Sequence, residues 1–200
     1  MVIIDYINIG LCALIAITLH ELSHGYVSYK LGDPTAKNAG RLTLNPIKHI
    51  DMFGLLALVI FKFGWAKPVP IDPRYYKNRK QGIIMVSIAG PLMNLCLACI
   101  CAFFCKMLYY SHSSVLFDFF AIGMQINVGM FVFNLLPFPP LDGSKILFSL
   151  LPDKVEYFFY KYEKYFMIIV LVLVLTDLIN YILYPPINLL LNMFVNYISY

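Results

Sequence analysis

The sequence predicts an all-α polytopic membrane protein. It has a three-helix core, one or two further membrane helices, and a small β-hairpin or re-entrant element between the first and second spans. Three observations lead there. Hydrophobic residues make up 60% of the chain and charged residues 13%, too little polar surface to coat a water-soluble domain of 200 residues. The apolar residues gather in runs near 3–29, 83–108, 115–136 and 165–184, each close to or above the roughly 20 residues a helix needs to cross hydrocarbon. Of the fifteen Lys and Arg, ten fall between Lys30 and Lys80 and four between Lys145 and Lys164, the bias that marks cytoplasmic segments.

The first run begins at Met1-Val-Ile-Ile-Asp5, which lacks a basic start and a small-residue cleavage site, so it is read as a retained span. Gly32 and Pro34 stop it. Thr35 to Asp51 alternates in short stretches such as Gly40-Arg-Leu-Thr-Leu, which predicts a strand or hairpin at the membrane surface. Met52–Phe63 is apolar but too short to cross, as expected of a re-entrant or interfacial piece. The second span, 83–108, is followed by a polar turn, Tyr109–Ser114. The third ends at Pro137-Phe-Pro-Pro140. An amphipathic surface helix is expected over Gly143–Tyr162. The fourth span, Tyr165–Tyr184, is expected to break at Pro185-Pro186, and the tail to Tyr200 either crosses back or lies in the interface. Together with the charges, this order places the N-terminus outside and the 30–80 and 138–164 segments inside.

Chemistry concentrates at His20-Glu21-Leu22-Ser23-His24. On a helix, two His four residues apart project from one face and can bind one metal, with the intervening Glu beside it to take a proton from metal-activated water. Given the scarcity of His and Glu in this chain, chance would produce the pattern in roughly one such sequence in a thousand. Polar groups inside a span are also costly unless paired or functional. Two His leave room for a third protein ligand. Glu156 and Glu163 lie on the expected surface helix, whereas Asp142 follows the third span on the same side as His24. Gly143 behind it is expected to permit a backbone turn that aims the carboxylate at the bundle.

These residues stand in a longer pattern. His20-Glu-x-x-His24 in the first span, Gly90-Pro-x-x-Asn94 in the second, and Asn134-Leu-Leu-Pro-Phe-Pro-Pro-Leu-Asp142-Gly143 after the third resemble the site-2 protease family of intramembrane metalloproteases. Gly40-Arg-Leu-Thr-Leu-Asn-Pro46 and Trp65-Ala-Lys-Pro-Val-Pro70 resemble its short bacterial branch, which lacks PDZ and CBS modules. The resemblance covers the chain to about Lys145. It implies one Zn2+ per chain held by His20, His24 and Asp142, with Glu21 as general base, and a membrane-embedded site nearer the cytoplasmic face of a bacterial inner membrane. A single metalloprotease domain, 1–200, then comprises a catalytic core of about 1–145 and C-terminal helices of about 146–200. Asn134 in such proteins helps hold substrate or the developing oxyanion; the alternative is a helix-end bond to backbone freed by Pro137. Asn94 and Gly90 are read as serving helix packing and backbone satisfaction.

The expected activity is hydrolysis of a peptide bond in or near a transmembrane segment, as in regulated intramembrane proteolysis. The partners are a membrane-protein substrate, the bilayer, and a separate recruiting or regulatory protein. The scattered basic residues do not suit nucleic acid. A membrane metal transporter using the same His and Asp residues is the alternative, and Glu21 argues against it because transport needs no general base. A strand within 35–72 is expected to pair with unwound substrate through Leu42 and Leu44. His49 is read as a surface or hairpin residue, Asp177 as part of a polar face buried in the fourth span, and Cys96-x-x-Cys99 as small side chains in a span rather than a metal pair.

Overall fold

The computed structural model describes residues 2–61, 64–109 and 114–199, and among them the chain is helical, with no strand. In chain order the helices are α1 (Val2–Lys30), α2 (Thr35–Asn38), α3 (Met52–Phe61), α4 (Arg79–Leu108), α5 (Ser114–Asn134), α6 (Asp142–Leu150), α7 (Asp153–Lys161), α8 (Glu163–Leu175) and α9 (Asn180–Ser199). Helices α1, α4 and α5 are long and apolar enough to cross a bilayer. They pack mutually, with α4 also touching α6 and α9. Most of the turn expected at 109–114 lies outside the described residues.

Each core helix buries one stripe. On α1 it is Asn8, Cys12, Ala16, His20, His24 and Ser28, an unbroken i, i+4 row, so the metal-motif histidines lie on the face that packs the bundle. On α4 the buried residues include Val86, Ser87, Gly90, Pro91, Asn94, Ala98, Ala102 and Cys105, mostly small ones. Lipid tails do not drive such helices together as water would. Close approach of small side chains and interhelical hydrogen bonds do so instead. Gly123, Met124, Asn127, Val128 and Val132 face inward from α5.

The C-terminal region departs from expectation at three points. Pro152 splits the single surface helix into α6 and α7, because proline cannot donate a helical bond. The break in the last apolar run falls between Leu175 and Asn180, where α8 and α9 meet at 73°, and Pro185-Pro186 lies inside α9. At the break Asp177 adopts φ +57° and is exposed, not buried on a span face. Helix α8, 13 residues, reaches only about 20 Å. α9 continues the path along α4 and α5. Its Ile198 joins Ala102, Cys105 and Met124, and the Tyr197 carbonyl accepts from Lys106 Nζ at 2.9 Å.

The β-hairpin expected between the first spans is also corrected. Its place is taken by α2, a 3-10 turn at Pro46–His49, the short apolar α3, and an isolated antiparallel bridge between Ile50 and Ala66. Prolines at 46, 68, 70 and 73 remove the donors a ladder would need. Leu44 is exposed outside any strand, so pairing of substrate along 42–44 has no edge to use. His49 is fully buried, with its ring Nε2 2.9 Å from the Thr43 carbonyl.

What holds this irregular segment on α1 is Asp33. Gly32, at φ +103°, ends the helix in a conformation that favours glycine. The buried Asp33 carboxylate then accepts from Ser28 Oγ at 2.7 Å, from the Asp72 N–H at 2.7 Å and from the Thr35 N–H at 2.9 Å, and from the Thr35 hydroxyl. Because Ser28 spends its proton on Asp33, Tyr76 Oη donates to Ser28 Oγ, at 2.7 Å. Burial pushes the Asp33 carboxyl up, but these donors outweigh it and hold it below its usual range. A depressed folded pKa contributes stability that is complete above the unfolded value, about 3.9, and is lost as pH falls through the folded one. Hydrogen exchange at Asp72 and Tyr76 is expected to accelerate as pH is lowered below about 4, after correction for the intrinsic rate. In Asp33→Asn the region should be loosened already at neutral pH, with no further acid step.

Candidate metal centre

Three ligand atoms converge where α1, α4 and the start of α6 meet. His20 Nε2 and His24 Nε2 are 3.0 Å apart, His24 Nε2 is 3.0 Å from Asp142 Oδ2, and His20 Nε2 is 3.2 Å from it. All three residues are buried. With ligand bonds of about 2.0–2.1 Å, tetrahedral zinc separates its ligands by about 3.3 Å, so the triangle has the size that zinc requires.

The protonation of the rings follows from their other nitrogens. His24 Nδ1 lies 2.7 Å from the Val86 carbonyl, which can only accept, so Nδ1 carries the proton. For His20 the partner is Asn94 Oδ1 at 2.6 Å. The Asn94 orientation is set at the far end of a chain. Asn127 Nδ2 donates to the Gly123 carbonyl at 2.8 Å, which leaves Asn127 Oδ1 to accept from Asn94 Nδ2 at 2.9 Å. Asn94 Oδ1 is therefore an acceptor, and His20 also carries its proton on Nδ1. In the neutral rings both Nε2 atoms then present lone pairs to each other and to a carboxylate oxygen. Three lone pairs at this separation repel unless a cation lies among them, which is the donor-set chemistry of a metal site.

The helices are shaped to allow this. A Cβ at Gly90 would overlap His24 Nε2 and lie 2.6 Å from its Cε1 and 2.7 Å from His20 Cε1. Only glycine lets α4 approach the two rings, so Gly90 does more than pack helices. Gly143 is needed for space as well, not for an unusual backbone turn. It sits in α6, and a Cβ there would overlap the Leu135 carbonyl and lie 2.6 Å from that of Leu136. This contact tucks Asp142 under the last turn of α5. Lys145 Nζ takes Asp142 Oδ1 at 3.0 Å, leaving Oδ2 to the histidines.

Glu21 is half-buried, and its Oε2 accepts from the Val69 N–H at 2.8 Å. Asn134 gives its Nδ2 to the Met130 carbonyl of its own helix at 3.0 Å. Pro137 does not free that carbonyl, so the expected helix-end bond is present but with a different partner. Glu156 is buried away from the centre in an ion pair with Arg79, at 2.6 Å. Asn127 went unrecognised in the sequence, although an amide inside a span is itself a signal.

Buried lone pairs for a metal, a neighbouring carboxylate, and a bundle of bilayer-length helices define a membrane-embedded metallopeptidase. Comparison with known proteins gives the family: Peptidase family M50 matches residues 9–176, and the chain belongs to it, the site-2 protease family. Among curated relatives, "Putative zinc metalloprotease YwhC" of Bacillus subtilis is 45% identical over 88% of this chain and 83% of its own length. "Putative zinc metalloprotease Rip2" of Mycolicibacterium smegmatis is 30% identical over 84% of this chain and 66% of its own length. "Putative zinc metalloprotease MJ0611" of Methanocaldococcus jannaschii is 32% identical over 64% of this chain and 62% of its own length. No solved structure matches. The protein is thus an integral, multi-pass zinc metalloprotease.

Gly90→Ala is expected to lower zinc affinity at least tenfold, and Asn94→Ala by about 10- to 100-fold, the range found for outer-shell partners of metal-bound His. Equilibrium dialysis of the detergent-purified chain against buffered zinc measures both.

Proposed function

We propose that this chain is an intramembrane zinc endopeptidase that cleaves a membrane protein in or near a transmembrane segment, with zinc held by His20, His24 and Asp142 and Glu21 as general base. The observation that carries this reading is the convergence of His20 Nε2, His24 Nε2 and Asp142 Oδ2 on a buried point, one residue along the helix from the Glu21 carboxylate. Zinc, when bound, supplies a Lewis acid that lowers the pKa of water to about 7 and polarises the scissile carbonyl.

The remaining steps belong to the chain's own groups. Val69 occupies Glu21 Oε2, so Oε1 is the atom that accepts a proton from the attacking water and passes it to the leaving amine. Asn94 and Val86 keep the two ring protons on Nδ1, away from the reaction. Asn134 contributes to substrate or oxyanion binding by releasing the Met130 carbonyl. The three core helices exclude lipid from the centre. The basic segments 30–80 and 145–164 support a site toward the cytoplasmic face, in keeping with a bacterial inner membrane, and a separate protein recruits the substrate.

Glu21→Gln tests the assignment. Zinc should remain bound while cleavage falls by about three orders of magnitude or more, within the combined range for general acid–base catalysis and loss of a carboxylate. Membrane proteomes of wild-type and Glu21→Gln cells should differ by uncleaved membrane precursors that accumulate in the variant. Identical proteomes, with zinc transport that needs His20, His24 and Asp142 yet survives Glu21→Gln, would mean that the site serves metal transport.

A further inference from the structure

We propose that the Pro68–Val69 peptide group, clamped by Arg41, is a built-in positioning device for the Glu21 carboxylate, and that Arg41 and Val69 are positioning residues for the peptidase reaction. The proposal rests on the reading of Glu21 as the proton carrier.

One peptide unit faces both residues. Its carbonyl, from Pro68, accepts from Arg41 Nη1 at 3.1 Å, and its N–H, from Val69, donates to Glu21 Oε2 at 2.8 Å. A trans peptide directs its C=O and N–H to opposite sides, so Arg41 and Glu21 lie on opposite edges of the same planar group. A cation on the carbonyl polarises that group and strengthens its N–H as a donor. Arg41 is 6% exposed, and its Nη2 also holds the Lys67 carbonyl, at 2.6 Å.

Local sequence makes the arrangement specific. Neither Pro68 nor Pro70 has an N–H, so Val69 carries the only backbone donor between Lys67 and Ile71. The Lys67 N–H is spent on the His49 carbonyl at 2.9 Å, and the Asp72 N–H on Asp33 at 2.7 Å. The stretch is therefore held on both sides of Val69, whose own N–H is given to Glu21. The Val69 side chain is buried against α1 near Gly25, where an added Cβ would come within 2.9 Å of it. A carboxylate held by one oxygen keeps the other aimed, which removes a rotation that the reaction would otherwise have to freeze.

The test uses the full chain, zinc-loaded in detergent, and a set of quenched-fluorescent single-span peptides, with the best-cleaved member used for every variant. Pro68-Val69-Pro70 is already biased to polyproline geometry, so Val69→Pro removes the N–H while disturbing the path little. Val69→Ala removes side-chain bulk but keeps the N–H. The kcat of Val69→Pro is expected about 10- to 100-fold below that of Val69→Ala, the range of a hydrogen bond to a charged group, with KM within about threefold and one zinc per chain. Arg41→Met should lower kcat in the same sense, with Arg41→Lys between it and wild type. Adding Arg41→Met to Val69→Pro should cost little more, because both act through one peptide.

Equal kcat for the two Val69 variants, or a rise in KM with kcat unchanged, would overturn the proposal, as would loss of zinc in parallel with kcat. If Val69→Pro yields no folded protein, the Arg41 variants decide: unchanged kcat in Arg41→Met overturns it. A fully active Glu21→Gln would instead refute the general-base reading. An inactive Glu21→Gln beside active Val69 and Arg41 variants refutes only the positioning role.

Discussion

Everything in the centre depends on how closely α4 passes α1 at Gly90. Two imidazoles a helical turn apart have room beside α4 only because no side chain projects there. The same approach brings the Val86 carbonyl and the Asn94 amide, one turn to either side, onto the outer ring nitrogens. A helix axis a methyl group further away would lose the room for the rings and the bonds that set their tautomers together. Small residues along α4 spread this close packing over the length of the span.

The bilayer explains why the polar groups form a closed chain. Within hydrocarbon, no water satisfies an unpaired amide, so each donor and acceptor must find its partner in the protein. The sequence of bonds from the Gly123 carbonyl through Asn127 and Asn94 to His20 obeys that rule until its last atom. In the neutral rings His20 Nε2 and His24 Nε2 are left with lone pairs, and Asp142 supplies the third. The network ends on three converging ligand atoms, an arrangement that a bound cation would complete.

Beyond the membrane helices, order comes from single side chains rather than from repeating ladders. Asp33 gathers four donors from three parts of the chain, and Arg41 grips two successive carbonyls. Prolines make this necessary, because they remove the backbone donors from which a hairpin would be built. They also confine the donors of the 67–70 stretch to two, each with a partner.

The sequence by itself determined the membrane class and the three core spans, and it singled out His20, Glu21, His24 and Asp142, because run length and motif spacing are local and survive in one dimension. It misjudged elements whose outcome depends on competition between local signals: the hairpin at 35–51, the helix that Pro152 divides, and the break that falls at Asp177 instead of at Pro185-Pro186. Only the tertiary structure decided that Gly90 faces the imidazoles, that Asn127 sets the His20 tautomer from 107 residues away, and that Val69 reaches Glu21. Those relations join different helices and loops, and nothing local in the chain encodes the distance between them. The His-Glu-His pattern specifies which atoms can bind a metal, while helix packing places their lone pairs about 3 Å apart.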